Sequence, residues 1–304
     1  MTTSDAYHKT KIGVKNQSSA ANYTTGLVTS RDGTLIGYRQ LGHGPGVVLL
    51  HGAMESAQSH MQLAEALADN FTVYLPDRRG RGLSGPHGKD YSMLKEVEDL
   101  AALLTKTGTH FIFGVSAGGL ICLQAALNLP GIQRVAVYEP ALSINGSVST
   151  AFLPRFDREL AEGKLAAALV SGMLGAQMGP PIFNSLPRWL LELLTSIQVA
   201  QEDKNFKGDG LPMRALAPTL HYDFQLVVEM TDKAENFKAI HAGVLLLGGS
   251  ESMAYLKIAL HALENIFPEA RRVEFPGLNH GASGNSDRGG QPKLVAQELR
   301  RFFA

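Results

Sequence analysis

The pentapeptide Gly114-Val115-Ser116-Ala117-Gly118 joins a predicted strand to a predicted helix. The apolar run Phe111–Val115 precedes the serine, and a helical pattern covers residues 119–129. The pentapeptide fits G-x-S-x-G, in which the serine lies on a tight strand-to-helix turn with its hydroxyl exposed. The flanking glycines lack a Cβ and allow a close approach of neighbouring elements. The pattern predicts that Ser116 is a nucleophile and that the amide of Ala117, at the helix N-terminus, stabilises an oxyanion.

Strand and helix patterns alternate on both sides of this turn, which predicts a mostly parallel sheet covered by helices. Eight short apolar runs are interpreted as strands, at residues 27–30, 35–40, 47–50, 71–75, 111–115, 135–138, 244–247 and 272–275. Apolar residues recur at helical spacing in five intervening segments, at 61–68, 94–104, 119–129, 254–267 and 294–303. The first two strands flank Arg31-Asp32-Gly33, a hairpin signal.

The alternation stops between residues 141 and 237. Apolar residues there recur at helical spacing over 165–173, 189–199 and 224–230, and prolines separate them. We therefore predict a core over 25–140 and 238–304, a helical cap over 141–237 and a mobile tail over 1–24. A cap over the carboxyl ends of parallel strands encloses the place where such sheets bind ligands.

Composition narrows the function classes. The 304 residues are 44% hydrophobic and 18% charged, which provides a packed core and excludes a disordered chain. Lys+Arg and Asp+Glu are both 28, so net charge gives no support for nucleic-acid or membrane binding. The single cysteine, Cys122, and the absence of a secretory pattern predict a cytoplasmic protein. We find no metal-ligand spacing and no nucleotide-binding loop, and so expect neither metal nor cofactor.

From residue 25 onward the chain resembles the α/β-hydrolase family. His51-Gly52-Ala53 is similar to the family's oxyanion turn, which implies that the Ala53 amide is the second oxyanion donor. The segment 77–85 resembles the family's turn after the fourth strand. Its three arginines are then expected in ion pairs or in solvent, with phosphate binding as the alternative. The resemblance implies an eight-stranded, mostly parallel sheet with flanking helices and an inserted cap.

The general base is predicted at His280. A serine hydroxyl needs a base within hydrogen-bond reach. His280 lies in the loop 276–282, after the last strand and before the final helix. The family's catalytic histidine occupies that loop, and the chain order serine, acid, histidine also agrees.

Two glutamates compete for the role of triad acid, which fixes the histidine tautomer and stabilises the imidazolium. The family's usual acid follows the seventh strand, where this chain has Glu251 in place of an aspartate. The rarer position ends the sixth strand, where Glu139 precedes Pro140. This arrangement resembles the fungal zearalenone-lactone hydrolases and some dehalogenases. Glu139 is favoured because it directly ends an apolar strand, and Glu251 remains the alternative.

These features predict a serine hydrolase that cleaves an ester or lactone bond of a small hydrophobic substrate. Water resolves the acyl-enzyme, and no cofactor takes part. Two alternatives remain open. The same triad in this family also hydrolyses carbon–carbon bonds, and some family members are small-molecule binding proteins. The sequence gives no oligomeric state.

Overall fold

The computed structural model describes residues 23–178, 181–206 and 210–304. Eight strands form one sheet in the order β1-β2-β4-β3-β5-β6-β7-β8. The strands are β1 Thr24–Thr29, β2 Leu35–Gly42, β3 Gly46–Leu50, β4 Thr72–Pro76, β5 Phe111–Val115, β6 Arg134–Tyr138, β7 Gly243–Gly249 and β8 Arg271–Phe275. β1 pairs antiparallel with β2 and β2 with β4, and the other pairs are parallel. The predicted eight-stranded, mostly parallel sheet is confirmed.

Helices cover both faces of the sheet. Those outside the β6–β7 connection are α1 Met61–Leu67, α2 Met93–Thr107, α3 Ala117–Asn128, α9 Ala254–Ile266 and α10 Pro292–Phe303. α2, α3 and α9 pack on one face, and α1 and α10 pack on the other. β5 contributes side chains to the hydrophobic cores on both faces of the sheet. Ile112 belongs to the core cluster on one face, and Phe113 and Val115 belong to the cluster on the other face. A strand buried on both faces is therefore apolar throughout.

The described residues between β6 and β7 form helices and no strand. These helices are α4 Leu153–Ala161, α5 Leu165–Gly175, α6 Arg188–Asn205, α7 Met213–Leu216 and α8 Leu220–Glu229. We refer to residues 139–242 as the insertion. α4, α5 and α6 are tied together because Arg188 on α6 donates to Glu159 on α4 and to Ser171 on α5, at 2.9 Å each. The predicted cap boundaries, 141 and 237, stay a prediction.

The predicted tail, 1–24, lies outside the described residues except for its last two positions. Thr24 is the first residue of β1. None of the helices within the described ranges is long and apolar enough to cross a membrane. Those ranges also contain no group of three or more His, Cys, Asp or Glu side chains that could hold a metal ion.

Six parallel strands, β3 to β8, end at the same edge of the sheet, and a polar residue follows each of the first four. His51 follows β3, Asp77 follows β4, Ser116 follows β5 and Glu139 follows β6. β4 lies on one side of β3 and β5 lies on the other. The direction in which successive strands are added to the sheet therefore reverses at β3, next to Ser116. A crevice opens at such a reversal in open α/β sheets.

Candidate active site

Ser116 lies on a strained turn that only glycine neighbours permit. Its φ of 54° and ψ of −122° lie outside the regions that L-residues prefer. A Cβ on Gly114 would come within 2.3 Å of the Gly118 carbonyl oxygen, and one on Gly118 within 2.5 Å of the Leu50 oxygen. The backbone amide of Ser116 donates to the Tyr138 oxygen at 3.0 Å. β3, β5, α3 and the end of β6 thus converge on this residue and fix its backbone.

Glu139 and His280 form a close hydrogen-bonded pair. His280 Nδ1 lies 2.7 Å from Glu139 Oε2. The carboxylate is fully buried, whereas 23% of the His280 side chain is exposed. The other carboxylate oxygen accepts from the Gly249 amide at 2.6 Å. Because Nδ1 donates to a carboxylate, Nε2 of the imidazole is left as the basic nitrogen.

The ends of β6 and β7 make room for that carboxylate. Glu139 itself has a φ of 45°, and its amide donates to the Leu247 oxygen on β7 at 3.0 Å. A Cβ on Gly248 would approach Glu139 Oε1 to 3.0 Å, and one on Gly249 would lie 2.1 Å from the Leu278 oxygen. The glycine pair that ends β7 therefore gives space both to the carboxylate and to the loop that carries His280.

Glu251 has a different environment. Its side chain is exposed and makes no hydrogen bond or ion pair within the described residues. Its backbone amide donates to the Leu278 oxygen at 2.9 Å, so the residue supports the loop before His280 through its main chain. The carboxylate that reaches His280 is that of Glu139.

A cavity of about 120 Å³ lies between the core and the insertion. The core contributes the three polar side chains of Ser116, His280 and Glu55, and also Tyr255. The apolar lining comes mostly from the insertion, with Val148, Ala176, Met178, Leu220, Phe224 and Val227. No hydrogen bond joins Ser116 to His280 in the described chain, although both line the cavity. Such contacts are often long before a substrate binds.

Ala53 and Ala117 both line this cavity. Ala117 begins α3, where amides have no partner within the helix. Within the described residues, no acceptor takes the amide hydrogen of Ala53 or of Ala117. Two unpaired backbone donors beside a serine can hold a negatively charged oxygen.

His51 has a structural role in the turn before Ala53. The amide of Arg78 donates to His51 Nε2 at 3.1 Å, and Nδ1 lies 2.9 Å from the Gly52 oxygen. The side chain is buried, and burial together with Arg81 and Arg78 holds the pKa of His51 well below its usual range. A neutral imidazole therefore joins the turns that follow β3 and β4.

The three arginines of the segment 77–85 are buried in ion pairs. Arg78 contacts Glu96 at 2.8 Å and Asp223 at 2.7 Å. Arg81 contacts the other oxygen of Asp223 at 2.6 Å. Arg79 binds Asp99 through two nitrogens, at 2.7 Å and 2.5 Å. Carboxylates occupy these guanidiniums, which fits the structural interpretation of the turn and leaves no arginine of the segment free to bind phosphate.

Sequence reasoning does not single out Glu55 and Tyr255, and both line the cavity. Glu55 is paired with His60, five residues further on, through a 3₁₀ turn at 57–60. Tyr255 is the second residue of α9, and burial together with the charge of Glu139 raises the pKa of Tyr255 to about 12. Neither position belongs to a motif with a spacing that could have revealed it.

Known proteins resemble the chain over most of its length. Pimeloyl-[acyl-carrier protein] methyl ester esterase of Xanthomonas axonopodis pv. citri is 25% identical over 266 residues, 87% of this chain and 97% of that protein. A solved α/β hydrolase from Sphaerobacter thermophilus is 31% identical, with a TM-score of 0.73, covering 92% of this chain and 100% of that one. A thermophilic esterase from Thermogutta terrifontis shares the fold, with 19% identity and a TM-score of 0.66 over 92% and 98%. The model of the alpha/beta hydrolase family matches residues 47–298, and the chain belongs to that family.

Proposed function

We propose that this α/β hydrolase cleaves carboxylic esters, lactones included, of small and largely apolar substrates through a Ser116–His280–Glu139 triad. The observation that carries the proposal is the 2.7 Å contact between His280 Nδ1 and Glu139 Oε2 beside a cavity that also exposes Ser116. A relative that is a methyl ester esterase supports an ester as the scissile bond.

The proposed reaction follows the acyl-enzyme route. Ser116 Oγ attacks the ester carbonyl carbon while its proton passes to His280 Nε2, and the carbonyl oxygen becomes an oxyanion held by the amides of Ala53 and Ala117. The carbon–oxygen bond to the alcohol then breaks, and His280 returns the proton to the leaving alcohol. Water repeats these steps on the acyl-enzyme and releases the carboxylic acid. Glu139 keeps the imidazole oriented and stabilises its protonated form.

The size and lining of the cavity support a small substrate. Its volume of about 120 Å³ is well below the roughly 300–1,000 Å³ of sites that bind drug-sized ligands. The residues from the insertion that line it are apolar except for Asp223, which is bonded to two arginines. A short acyl chain suits this space.

The first test is labelling with a fluorophosphonate, followed by intact-mass measurement and peptide mapping. We expect one adduct, on Ser116. Ser116→Ala should lose the adduct and reduce kcat by at least about 10³-fold, because the triad acts as a unit. Ester turnover that survives Ser116→Ala would rule out this mechanism. No adduct and no turnover of esters by the folded protein would favour a binding protein, and turnover of diketones alone would favour carbon–carbon hydrolysis.

A matched pair of variants tests the acid. Glu139→Gln should reduce kcat by about 10²- to 10⁴-fold, since the amide no longer stabilises the imidazolium. Glu251→Gln should leave kcat unchanged, because that side chain is exposed and makes no contact with His280. The reverse pattern would assign the role to Glu251. Circular dichroism of both variants checks that each is folded.

A further inference from the structure

The carboxylate of Glu55 has one occupied oxygen and one free oxygen. Oε2 accepts the Gly52 amide at 2.7 Å and lies 3.1 Å from His60 Nε2. Oε1 makes no hydrogen bond within the described part of the chain. About 25% of the side chain is exposed, and the residue lines the cavity beside Ser116. The free oxygen is thus an acceptor available to a bound molecule.

Two contacts hold this carboxylate in place. His60 is buried and connects Glu55 to the loop of His280, since its Nδ1 lies 3.0 Å from the Ser283 oxygen. Burial alone would raise the pKa of Glu55, but the charge and the hydrogen bond of His60 outweigh it and lower that pKa to about 2. The carboxylate is therefore ionised at neutral pH, and it cannot rotate away without losing the hydrogen bond from the Gly52 amide.

The groups around Glu55 favour one kind of hydrogen-bond donor for its free oxygen, Oε1. The neighbouring lining is apolar, and the other acidic side chain of the cavity, Asp223, is already bonded to Arg78 and Arg81. When a substrate displaces water from the cavity, an ionised carboxylate oxygen that finds no new hydrogen-bond donor costs free energy. Burial lowers the pKa of His60, but the charge and hydrogen bond of Glu55 outweigh it and raise that pKa. A protonated His60 offsets the negative charge of Glu55, so a neutral donor such as a hydroxyl suits the site better than an ammonium group.

The position of Glu55 indicates where on the substrate that hydroxyl lies. A Cβ on Gly52 would be 3.0 Å from Ser116 Cβ and 3.1 Å from Glu55 Oε2, so serine and carboxylate flank the same point. Gly52 also precedes Ala53, whose amide is proposed to hold the carbonyl oxygen. The leaving alcohol, in contrast, must lie next to His280, which protonates it. A group that reaches Glu55 therefore belongs to the acyl part, a few bonds from the carbonyl carbon.

We propose that Glu55 is a specificity-determining residue whose Oε1 accepts a hydrogen bond from a hydroxyl group on the acyl part of the substrate, close to the ester carbonyl. The inference rests on the proposed ester hydrolysis at Ser116 and names its substrate class: short hydroxyacyl esters.

Three methyl esters, one of them as both separate enantiomers, test the proposed role of Glu55 with the full-length enzyme in a pH-stat assay. They are methyl butanoate, methyl 3-hydroxybutanoate as each enantiomer, and methyl 3-methoxybutanoate, which can accept but cannot donate. We expect kcat/KM for one hydroxy enantiomer to exceed that of both other esters by at least about tenfold. Equal values for butanoate and both hydroxy enantiomers would overturn the role of Glu55 and leave ester hydrolysis intact. No turnover of any ester would overturn the proposed function as well.

The variant Glu55→Gln assigns the preference to this side chain. The Gly52 amide needs an acceptor, so the amide oxygen of Gln takes the place of Oε2 and the NH₂ group takes the place of Oε1. An acceptor then becomes a donor, and the hydroxy-to-methoxy ratio of kcat/KM should fall at least about tenfold. Glu65→Gln, on the exposed face of α1, is the matched control and should keep the wild-type ratio. A ratio unchanged in folded Glu55→Gln would contradict the proposal. If Glu55→Gln does not fold, the wild-type series decides alone.

Discussion

Two residues of the candidate active site adopt backbone conformations that cost free energy. Ser116 and Glu139 both have a positive φ, a conformation that costs an L-residue roughly 1–3 kcal/mol. In each case strand ends pin the backbone: Ser116 bonds to Tyr138, and Glu139 bonds to Leu247. Such strain persists only where surrounding structure determines the conformation. Here that structure is the edge of the sheet on which both residues lie.

His87 gives a prediction for stability as a function of pH. Its ring stacks on Tyr222 at 3.7 Å, and burial together with the charge of Arg81 lowers the pKa of His87 to about 4. The unfolded chain binds a proton near pH 6.5 and the folded chain does not, so stability falls as the pH drops from about 6.5 to about 4. His87→Phe removes this titration and keeps the ring stack.

Urea unfolding at pH 7 and pH 5 measures the effect. The free energy of unfolding of the wild type should drop by about 2 kcal/mol more than that of His87→Phe between these two pH values. His43→Gln, at an exposed position, should follow the wild type. Parallel losses for wild type and His87→Phe would show that His87 is not the group that takes up the proton.

The sequence singles out candidate site residues when their signal lies in one short segment of the chain. Ser116 stands out because a glycine lies two positions before it and two positions after it, and His280 stands out because the α/β-hydrolase family carries its histidine in the loop after the last strand. Glu55 does not, since its role depends on a pairing with His60 that a 3₁₀ turn creates. Asp223 shows the same limit, because its partners Arg78 and Arg81 lie far away in the chain.

Among the elements, the helices of the insertion are attached to the core unequally. α8 buries Leu220, Asp223, Phe224, Leu226 and Val227. It also bonds to the core from two positions one turn apart: Gln225 donates to the Tyr91 oxygen at 2.7 Å, and Glu229 accepts the Met93 amide at 2.8 Å. α6 buries only Leu191 and Val199 and exposes Trp189 to 67%. α8 therefore attaches the insertion to the core, whereas α6 lies on the outside of the insertion.

Amide hydrogen exchange should resolve this difference. Helices with few buried contacts open at a lower free energy cost than helices that are part of the core. We expect central amides of α6 to exchange at least about tenfold faster than those of α8, after correction for intrinsic rates. α3, nine of whose twelve residues are buried, serves as the slow reference. Equal protection of α6 and α8 would show that the insertion opens as one unit.

The sequence predicts all eight strands but misses two short helices, α4 and α7. Strands buried on both faces are uninterrupted apolar runs, and the predicted ends agree with the observed ends to within two residues for every strand except β1, which begins three residues before its predicted start. α4 is missed because Pro154 counts among the prolines that separate the predicted helices, and α7 spans only four residues. In the structure this proline lies in the first turn of α4, where a missing amide hydrogen costs nothing.

On the scale of the whole molecule, buried charges connect distant parts of the chain. The segment 77–85 reaches the β1–β2 turn through Arg79 and Asp32, α2 through Arg78 and Glu96, and α8 through Asp223. The sequence indicates the turn but not these partners, because partners that lie 47, 18 and 145 residues away in the chain leave no local pattern. The arginines hold the insertion on the core.

Asp223→Asn tests how strongly this network joins the two parts. The change leaves the buried guanidiniums of Arg78 and Arg81 without one negative partner, which should destabilise the protein by about 3–5 kcal/mol in urea unfolding. Glu235→Gln, an exposed position in the insertion, should change stability by less than about 0.5 kcal/mol. A comparably small effect of Asp223→Asn would mean that apolar packing alone attaches α8.

The glycines that end β7 also limit the evolutionary routes open to this site. Gly248 and Gly249 leave space that the Glu139 carboxylate and the Leu278 backbone fill, so a larger side chain at either position meets atoms already there. A lineage with a larger residue at position 248 would have to change position 139 as well, because the new Cβ would lie 3.0 Å from Glu139 Oε1. The two positions are expected to be epistatic, and homologues should carry one arrangement or the other as a set.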